Sequence, residues 1–303
     1  MKPITKPGIY DMTLEEYHAD PALSSSGARA IMPPSCPARF RWDKDHPEEP
    51  NRVFDIGKVA HRLVLGRGDQ VVVIPHKDYR KAEPREMRDA AYAAGKVPVL
   101  TAEFDACQEM AAALERHRFP GKDFGAGKLF QAGTPERSIF WRDQETGIMC
   151  RARPDFLPAN GPIYGDYKTC VSAALGDLTR AMINFGYYQQ MAWYSDGIRA
   201  LDIHDDPQPL FTFQEKAAPY LIVVAQPEPD ALVWGDIQNA KARAVFAECV
   251  RTGTWPGYAD DVVTLEMPGF AASQLQKRHD LGEFDTAYKA QAPLDGADHQ
   301  QEE

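Results

Sequence analysis

Two short stretches near the middle of the chain decide the fold: Arg151-Ala152-Arg153-Pro154-Asp155 and Gly165-Asp166-Tyr167-Lys168-Thr169. They belong to strands predicted over residues 147–157 and 162–169. Side chains two positions apart in a strand point to the same face of the sheet. Asp166 and Lys168 should therefore share a face, and so should Arg151, Arg153 and Asp155. If the two strands pair as a hairpin, two carboxylates and one ammonium group converge at one place.

This convergence predicts a metal-dependent site. Two neighbouring carboxylates repel each other, and a hard divalent cation such as Mg²⁺ or Mn²⁺ relieves that repulsion. A lysine beside such an ion can orient a water molecule or stabilise negative charge on a phosphate that is being cleaved. The alternative is a surface ion pair on a solvated strand face, which the same residues would also form.

The surrounding sequence predicts an α/β (α+β) fold. A mixed central β-sheet should be flanked by helices, because helical and strand-like segments alternate on both sides of the two decisive strands. The predicted helices are 54–66, 102–118, 172–183, 186–199 and 235–252, and the other strands are 71–74, 128–142 and 220–225. Residues 1–50 are predicted to form a helical N-terminal extension. We expect one domain over 1–282 with its core at about 54–258, followed by a disordered acidic tail at 283–303.

Composition and charge limit the function classes. The chain has 303 residues and a net charge of −10. An acidic total argues against a wholly basic nucleic-acid-binding surface but allows a local basic channel. No stretch approaches the ~18 continuous apolar residues of a membrane span, and the N-terminus lacks the apolar core of a secretion signal. Five widely spaced cysteines without a CxxC pair suggest neither a zinc ribbon nor a disulfide framework, so we expect a cytoplasmic protein.

Two further motifs lie on predicted helices before and after the decisive strands. Gly57 and His61 are four residues apart, which places them on the same helix face, and so are Gln190 and Tyr194. Each pair has a structural alternative, which is ordinary packing of a helix face against the core.

Together, these residues resemble the PD-(D/E)xK nuclease signature. Pro154-Asp155 is followed, after ten intervening residues, by Asp166-Tyr167-Lys168. RecB-like members of that superfamily carry a GxxxH helix before this core and a QxxxY helix after it, in the order found here. By motif match, the resemblance implies metal-ligand roles for His61, Asp155 and Asp166 and a catalytic role for Lys168. It also places Gln190 and Tyr194 in the catalytic set.

A narrower resemblance is to the RecE-type exonucleases (exodeoxyribonuclease VIII) of phages and prophages. It rests on Gly8-Ile9-Tyr10, on Glu16 to Ser24, on Cys36 to Phe40 and on Trp255-Pro256-Gly257-Tyr258. The resemblance implies a restriction-endonuclease-like core and a Mg²⁺-dependent exonuclease, for which Mn²⁺ can substitute. Such an enzyme degrades one strand of duplex DNA from its 5′ end and passes the 3′ overhang to a RecT-like single-strand-annealing recombinase. A ring-shaped homo-oligomer loaded on DNA ends is also implied.

Glu136 is a further candidate metal ligand. Related nucleases often carry an acid near the metals at the position of Glu136, although an edge-strand charge is an equal alternative. Some RecB-like nucleases hold an iron–sulfur cluster with three C-terminal cysteines. Only Cys249 follows residue 170 here, so we predict no cluster. Duplex DNA requires cations along its path. The candidates are Arg137, Arg142, Arg151, Arg153 and the basic run from Lys77 to Arg88.

Two other functions remain open on the sequence alone. One is an endonuclease or repair nuclease of the same fold, and the other is a DNA-binding module that has lost catalysis. The intact set of His61, Asp155, Asp166 and Lys168 argues against the second.

Overall fold

The structure is a computed structural model that describes residues 2–46, 51–131, 133–158 and 161–284. The chain divides into two compact units, residues 1–258 and 259–303. The first unit ends at Tyr258, the residue at which we placed the end of the core, whereas we placed the end of the domain at 282. The acidic tail lies almost wholly outside the described residues, so its disorder stays a prediction.

Eleven strands are found in the described residues. They are β1 (Gly8–Tyr10), β2 (Leu23–Ser24), β3 (Val71–Ile74), β4 (Val97–Leu100), β5 (Gly133–Pro135), β6 (Ser138–Arg142), β7 (Met149–Ala152), β8 (Phe156–Pro158), β9 (Ile163–Cys170), β10 (Gln208–Glu215) and β11 (Ile222–Ala225).

The same residues contain eleven α-helices. They are α1 (Leu14–Ala19), α2 (Ser25–Ala30), α3 (Pro37–Asp45), α4 (Asp55–Leu65), α5 (Ala82–Ala93), α6 (Thr101–Arg116), α7 (Ala126–Leu129), α8 (Leu175–Asn184), α9 (Tyr187–Ala200), α10 (Pro229–Thr252) and, in the second unit, α11 (Gly269–Asp280). None of these helices combines the length and apolar character that spanning a bilayer requires.

The predicted fold class is confirmed, with two mixed sheets in place of one central sheet. A five-stranded sheet has the order β11-β10-β9-β8-β5, and a four-stranded sheet has the order β1-β6-β7-β2. In the first, β9 and β10 run parallel and the other pairs run antiparallel. β3 and β4 form a separate parallel pair.

The chain passes from one sheet to the other at two points where we predicted continuous strands. The predicted strand 128–142 is divided into α7, β5 and β6, and the predicted strand 147–157 is divided into β7 and β8. Glu136 interrupts the first with a φ angle of 50°, which no extended strand contains. Pro154 interrupts the second because it has no N–H to donate to a neighbouring strand. Asp155 therefore lies in the connection before β8 and not in one strand with Arg151.

The N-terminal extension is also not wholly helical. It contains α1, α2 and α3, but β1 pairs with β6 and β2 pairs with β7, so two strands of the four-stranded sheet come from the first 24 residues. The extension is thereby part of the sheet that lies next to the candidate site.

Helices cover both faces of the five-stranded sheet. On one face, Tyr164 and Phe211 are fully buried in a cluster with Trp193 of α9. On the other face, Tyr167 and Phe156 pack in a cluster with Val59 of α4. Because β9 alternates, Asp166 and Lys168 lie on the α9 side and the Tyr167 ring lies on the α4 side. The site is therefore positioned where β9 meets both helices.

Candidate active site

The pairing of β8 with β9 brings the two predicted aspartates together. Phe156 lies opposite Gly165 in the antiparallel register, which places Asp155 beside Asp166. The Tyr167 N–H donates to Asp155 Oδ2 at 2.7 Å. The Lys168 ammonium group contacts Asp166 Oδ1, as two residues on one strand face can. The hairpin argument thus gave the correct geometry for these side chains, although Asp155 itself precedes the strand.

His61 reaches this pair from α4. Gly57 lets the helix approach β9 closely, because a Cβ atom there would lie 3.3 Å from Thr169 Oγ1. One turn later, His61 Nε2 lies 2.8 Å from Asp155 Oδ1, and Nδ1 lies 3.1 Å from Glu136 Oε1. Only the doubly protonated ring can donate to both carboxylates. His61 is therefore held as a cation between two acids.

Glu136 is built into the site by an unusual backbone conformation. Its φ angle of 50° lies in the left-handed region that ordinary side chains rarely adopt, at a cost of about 1–3 kcal/mol. Its N–H donates to the Asp155 carbonyl at 3.1 Å, and its buried carboxylate accepts from Arg153 at 3.1 Å. Such strain at the point where the chain crosses between sheets is typical of functional positions. This favours the site role for Glu136 over an edge-strand charge.

The QxxxY pair completes the cluster from α9. Gln190 Nε2 donates to Asp166 Oδ2 at 2.7 Å and lies 2.7 Å from the Tyr194 hydroxyl. The hydroxyl in turn lies 3.5 Å from the Arg153 carbonyl. Both side chains therefore touch the site, and the Gln190 amide orients the Asp166 carboxylate.

The pKa values of His61, Asp155 and Glu136 are shifted by burial and by the charges of neighbouring side chains. Burial disfavours the charged form of His61, but Asp155 and Glu136 outweigh it and raise the pKa of His61 to about 10. The reverse holds for the acids. Burial alone would raise the pKa of Asp155 and of Glu136, whereas the His61 cation, with Lys168 and Arg153 respectively, lowers both. At neutral pH both carboxylates are ionised against a protonated imidazole.

Asp166 and Lys168 behave differently. Burial, followed by the nearby Asp155 charge, raises the pKa of Asp166 to about 6, even though Lys168 opposes this. For Lys168, burial disfavours the ammonium form, but Asp166 and Asp155 outweigh it and raise the pKa of the lysine. Crowding of two carboxylates with one lysine is the electrostatic condition that a cation would relieve.

The arginines predicted to contact DNA lie in three different environments. Arg151 is buried, and its guanidinium lies 4.5 Å from the Tyr17 ring centre, outside the residues that line the site. Arg153 lines the site but is paired with Glu136. Arg137 pairs with Asp11 at 3.0 Å and is partly exposed. DNA contact by these residues stays a prediction.

The site opens into a cleft of about 1310 Å³. Three side chains that sequence reasoning missed line it: Arg29 of α2, Lys58 of α4 and Tyr187 of α9. Arg29 Nε is buried and has no hydrogen-bond partner among the described residues. The Lys168 ammonium lies 5.4 Å from the centre of the Tyr187 ring. Lys58 could have been found from its position beside Gly57, whereas nothing local distinguishes Arg29 or Tyr187.

The donor set fits a divalent cation by its chemistry. Carboxylate oxygens with one imidazole nitrogen suit Mg²⁺ or Mn²⁺. Across the described ranges, no three His, Cys, Asp or Glu side chains are already arranged around a single point as metal ligands. In the contacts observed, the His61 ring lies between Glu136 and Asp155. A cation would replace the proton on His61 as the positive charge of the cluster.

Comparison with known proteins gives a consistent result. No curated protein sequence matches the chain significantly. A crystal structure from Eubacterium rectale, of a protein named "putative exonuclease", matches with a TM-score of 0.53 at 12% identity, covering 92% of this chain and 100% of that chain. At this identity the likeness shows the fold.

The family comparison goes further. The profile of the "PDDEXK-like domain of unknown function (DUF3799)" matches residues 24–266, which is more than half of the chain. The matched range contains all the clustered side chains, from His61 to Tyr194. Nucleases with a PDDEXK core generally use divalent metals. On this match, the chain belongs to the PDDEXK-like family.

Proposed function

We propose that the protein is a divalent-metal-dependent exonuclease that degrades one strand of linear duplex DNA from the 5′ end and leaves 3′ overhangs. Family membership and the fold support nuclease activity. The observation that carries the proposal is the convergence of Asp155, Asp166, Lys168, His61 and Gln190 on one open cleft. The direction of degradation and the choice of Mg²⁺ rest on the resemblance to RecE-type exonucleases.

The site residues would have different roles in phosphodiester hydrolysis. A bound divalent ion would activate water and offset charge on the phosphate. Asp155, Asp166, His61 and Glu136 would hold it. The Lys168 ammonium, which contacts Asp166, would stabilise negative charge on the phosphate or orient the attacking water.

Other parts of the proposal rest on the same resemblance. We infer a homo-oligomeric ring on duplex ends, transfer of the 3′ overhang to a single-strand-annealing recombinase, and action in the cytoplasm.

Arg29 and Lys58 supply positive charge in the cleft, which a DNA strand requires despite the acidic total of the chain.

One digestion experiment tests the proposal. The substrates are a linearised plasmid, labelled at either the 5′ or the 3′ end, and the same plasmid as a closed circle. Each is incubated with Mg²⁺, with Mn²⁺ or with EDTA. We expect release of the 5′ label from linear DNA with metal, and survival of the closed circle. Asp166→Asn should be inactive, whereas Asp177→Asn, which changes a partly exposed aspartate paired with Arg180, should behave as the wild type.

Each other outcome points to a different function. Cutting of the closed circle would identify an endonuclease of the same fold. Survival of every substrate with either metal would indicate an inactive DNA-binding module.

A further inference from the structure

An exposed phenylalanine lies on the wall of the cleft. Among the described residues that line it, the large hydrophobic residues that are mostly exposed are Phe54, Ile183 and Phe185, and Phe185 is 58% exposed. Phe185 directly follows the end of α8 and precedes Gly186, whose φ angle of 61° turns the chain sharply into α9. A ring at this turn faces solvent although apolar surface is normally withdrawn from water. Such a ring in a cleft is available to a ligand.

Phe185 is connected to the catalytic lysine through one intervening ring. The centres of the Phe185 and Tyr187 rings are 5.5 Å apart, and the Lys168 ammonium lies 5.4 Å from the Tyr187 centre. Phe185 therefore lies no further from Lys168 than these two distances added together. At roughly 3.4 Å per nucleotide along a strand, this corresponds to about three nucleotides or fewer from the phosphate that Lys168 would contact.

A cation lies next to the same turn. A Cβ atom on Gly186 would come within 2.7 Å of Arg29 Cδ and 3.3 Å of its Nη1, so the Arg29 side chain lies directly against the turn. Arg29 Nε has no partner among the residues described. Arg29 also lines the cleft. A guanidinium next to an exposed aromatic ring suits a nucleotide, because the guanidinium binds a phosphate and the ring stacks on a base.

We propose that Phe185 stacks on an unpaired nucleobase of the DNA strand in the cleft, while Arg29 contacts a phosphate of the same strand. The proposal rests on the proposed DNA-degrading function and adds the recognition of unpaired bases near the cleavage point. Stacking tolerates every base because each has an aromatic face, so the contact positions the strand without selecting its sequence. Phe185 is thus a positioning residue.

The experiment measures binding of a single-stranded oligonucleotide to the metal-free full chain by fluorescence anisotropy. Phe185→Ala and Phe185→Leu should weaken binding about 5- to 150-fold, the effect expected from loss of one stacked base. Phe185→Trp should retain the affinity. The matched control is Phe270→Ala, which removes an exposed phenylalanine from a helix in the second unit and should change nothing.

A spectroscopic readout separates stacking from general apolar contact. 2-Aminopurine is placed at successive positions of the oligonucleotide, and its fluorescence should be quenched by the wild type at one position and not by Phe185→Ala. An abasic site at that position should reduce wild-type affinity to that of the variant and make the two losses non-additive.

The results distinguish this inference from the proposed function. If the wild type binds and cleaves DNA but Phe185→Ala binds equally well, or if the abasic and Phe185→Ala losses simply add, the stacking proposal is wrong and the nuclease proposal stands. A change in oligomeric state without a change in DNA binding would also overturn it, since the ring would then serve a protein interface. If the wild type neither binds nor cleaves DNA, the proposed function fails first.

Discussion

Replacing Arg153 with leucine should destabilise the protein, and not merely weaken a contact with DNA. The side chains of Arg153 and Glu136 are each only 10% exposed. Arg153 Nη1 donates to the Met12 carbonyl and the Ser138 hydroxyl at 2.9 Å each, and Nη2 donates to Glu136 at 3.1 Å. The guanidinium is therefore bonded to the N-terminal segment, to β6 and to the site carboxylate at once.

The size of the effect follows from the charge that is left behind. Breaking a buried ion pair by removing one partner costs about 3–5 kcal/mol, because the other charge stays buried without compensation. His61 remains beside Glu136, so we expect a loss near the lower limit, at about 3 kcal/mol. In a unit of this size, 1 kcal/mol moves the unfolding midpoint by about 2–4 °C, which predicts a decrease of roughly 6–12 °C.

Denaturant and thermal unfolding of the metal-free protein measure this loss. The double variant Arg153→Leu with Glu136→Gln should recover part of it, because the unpaired charge is gone. Arg137→Leu is the matched control, since its pair with Asp11 is more exposed and is worth less than about 1 kcal/mol. If Arg153→Leu keeps wild-type stability and only DNA affinity decreases, Arg153 is a DNA contact and our reasoning from its burial is wrong.

Three further changes test the site. Asp166→Asn should abolish cleavage but leave the unfolding midpoint at pH 8 unchanged or higher, because burial and Asp155 make the ionised carboxylate unfavourable there; a large loss of stability would contradict this. Lys168→Ala should retain Mg²⁺ binding by calorimetry yet cleave about 10²–10³-fold more slowly, and Lys168→Arg should not restore the rate, since a planar fork replaces a point charge. The raised pKa of His61 stabilises the folded metal-free protein fully below pH about 6.5, and this contribution is lost as the pH rises through about 10. Its unfolding midpoint should therefore decrease between pH 7 and 10, and His61→Asn should decrease less steeply.

The parts of the site that could be predicted are those set by local periodicity. Asp166 and Lys168 share a strand face, and Gln190 and Tyr194 share a helix face, because these spacings are fixed by the backbone. The sequence order of the motifs then indicated which helices meet the strands.

The strand β10 shows why other parts could not be predicted. Gln214 lies in it fully buried, with its amide donating to the Met110 carbonyl at 2.9 Å and accepting from the Tyr167 hydroxyl at 2.6 Å. Both partners are distant in sequence. From the sequence alone, a polar residue in this stretch indicates a surface loop, because the tertiary contacts that satisfy its amide cannot be seen. The same holds for the left-handed conformation of Glu136, which no local sequence pattern predicts.

Arg151 illustrates a further limit. Its predicted shared face with Arg153 is correct, since both guanidinium groups lie over the Tyr17 ring, at 4.5 and 6.0 Å from its centre. The periodicity of a strand shows which side chains lie together, but not whether that face meets solvent or another element. Here α1 of the N-terminal extension covers the face, so Arg151 is buried beneath Tyr17.

The position of the site at the junction of the two sheets has an electrostatic reason. Three carboxylates, Glu136, Asp155 and Asp166, would repel one another if neighbouring turns of a single element carried them all. Instead, the chain crosses between sheets at Glu136 and again just before Asp155, which lets His61 enter between these two acids from α4 while Lys168 meets Asp166. Each carboxylate thus faces a cation from the protein itself, and the cluster can be held together without an added ion. A divalent ion held by these side chains would replace the proton of His61, because an imidazole binds a metal in its neutral form.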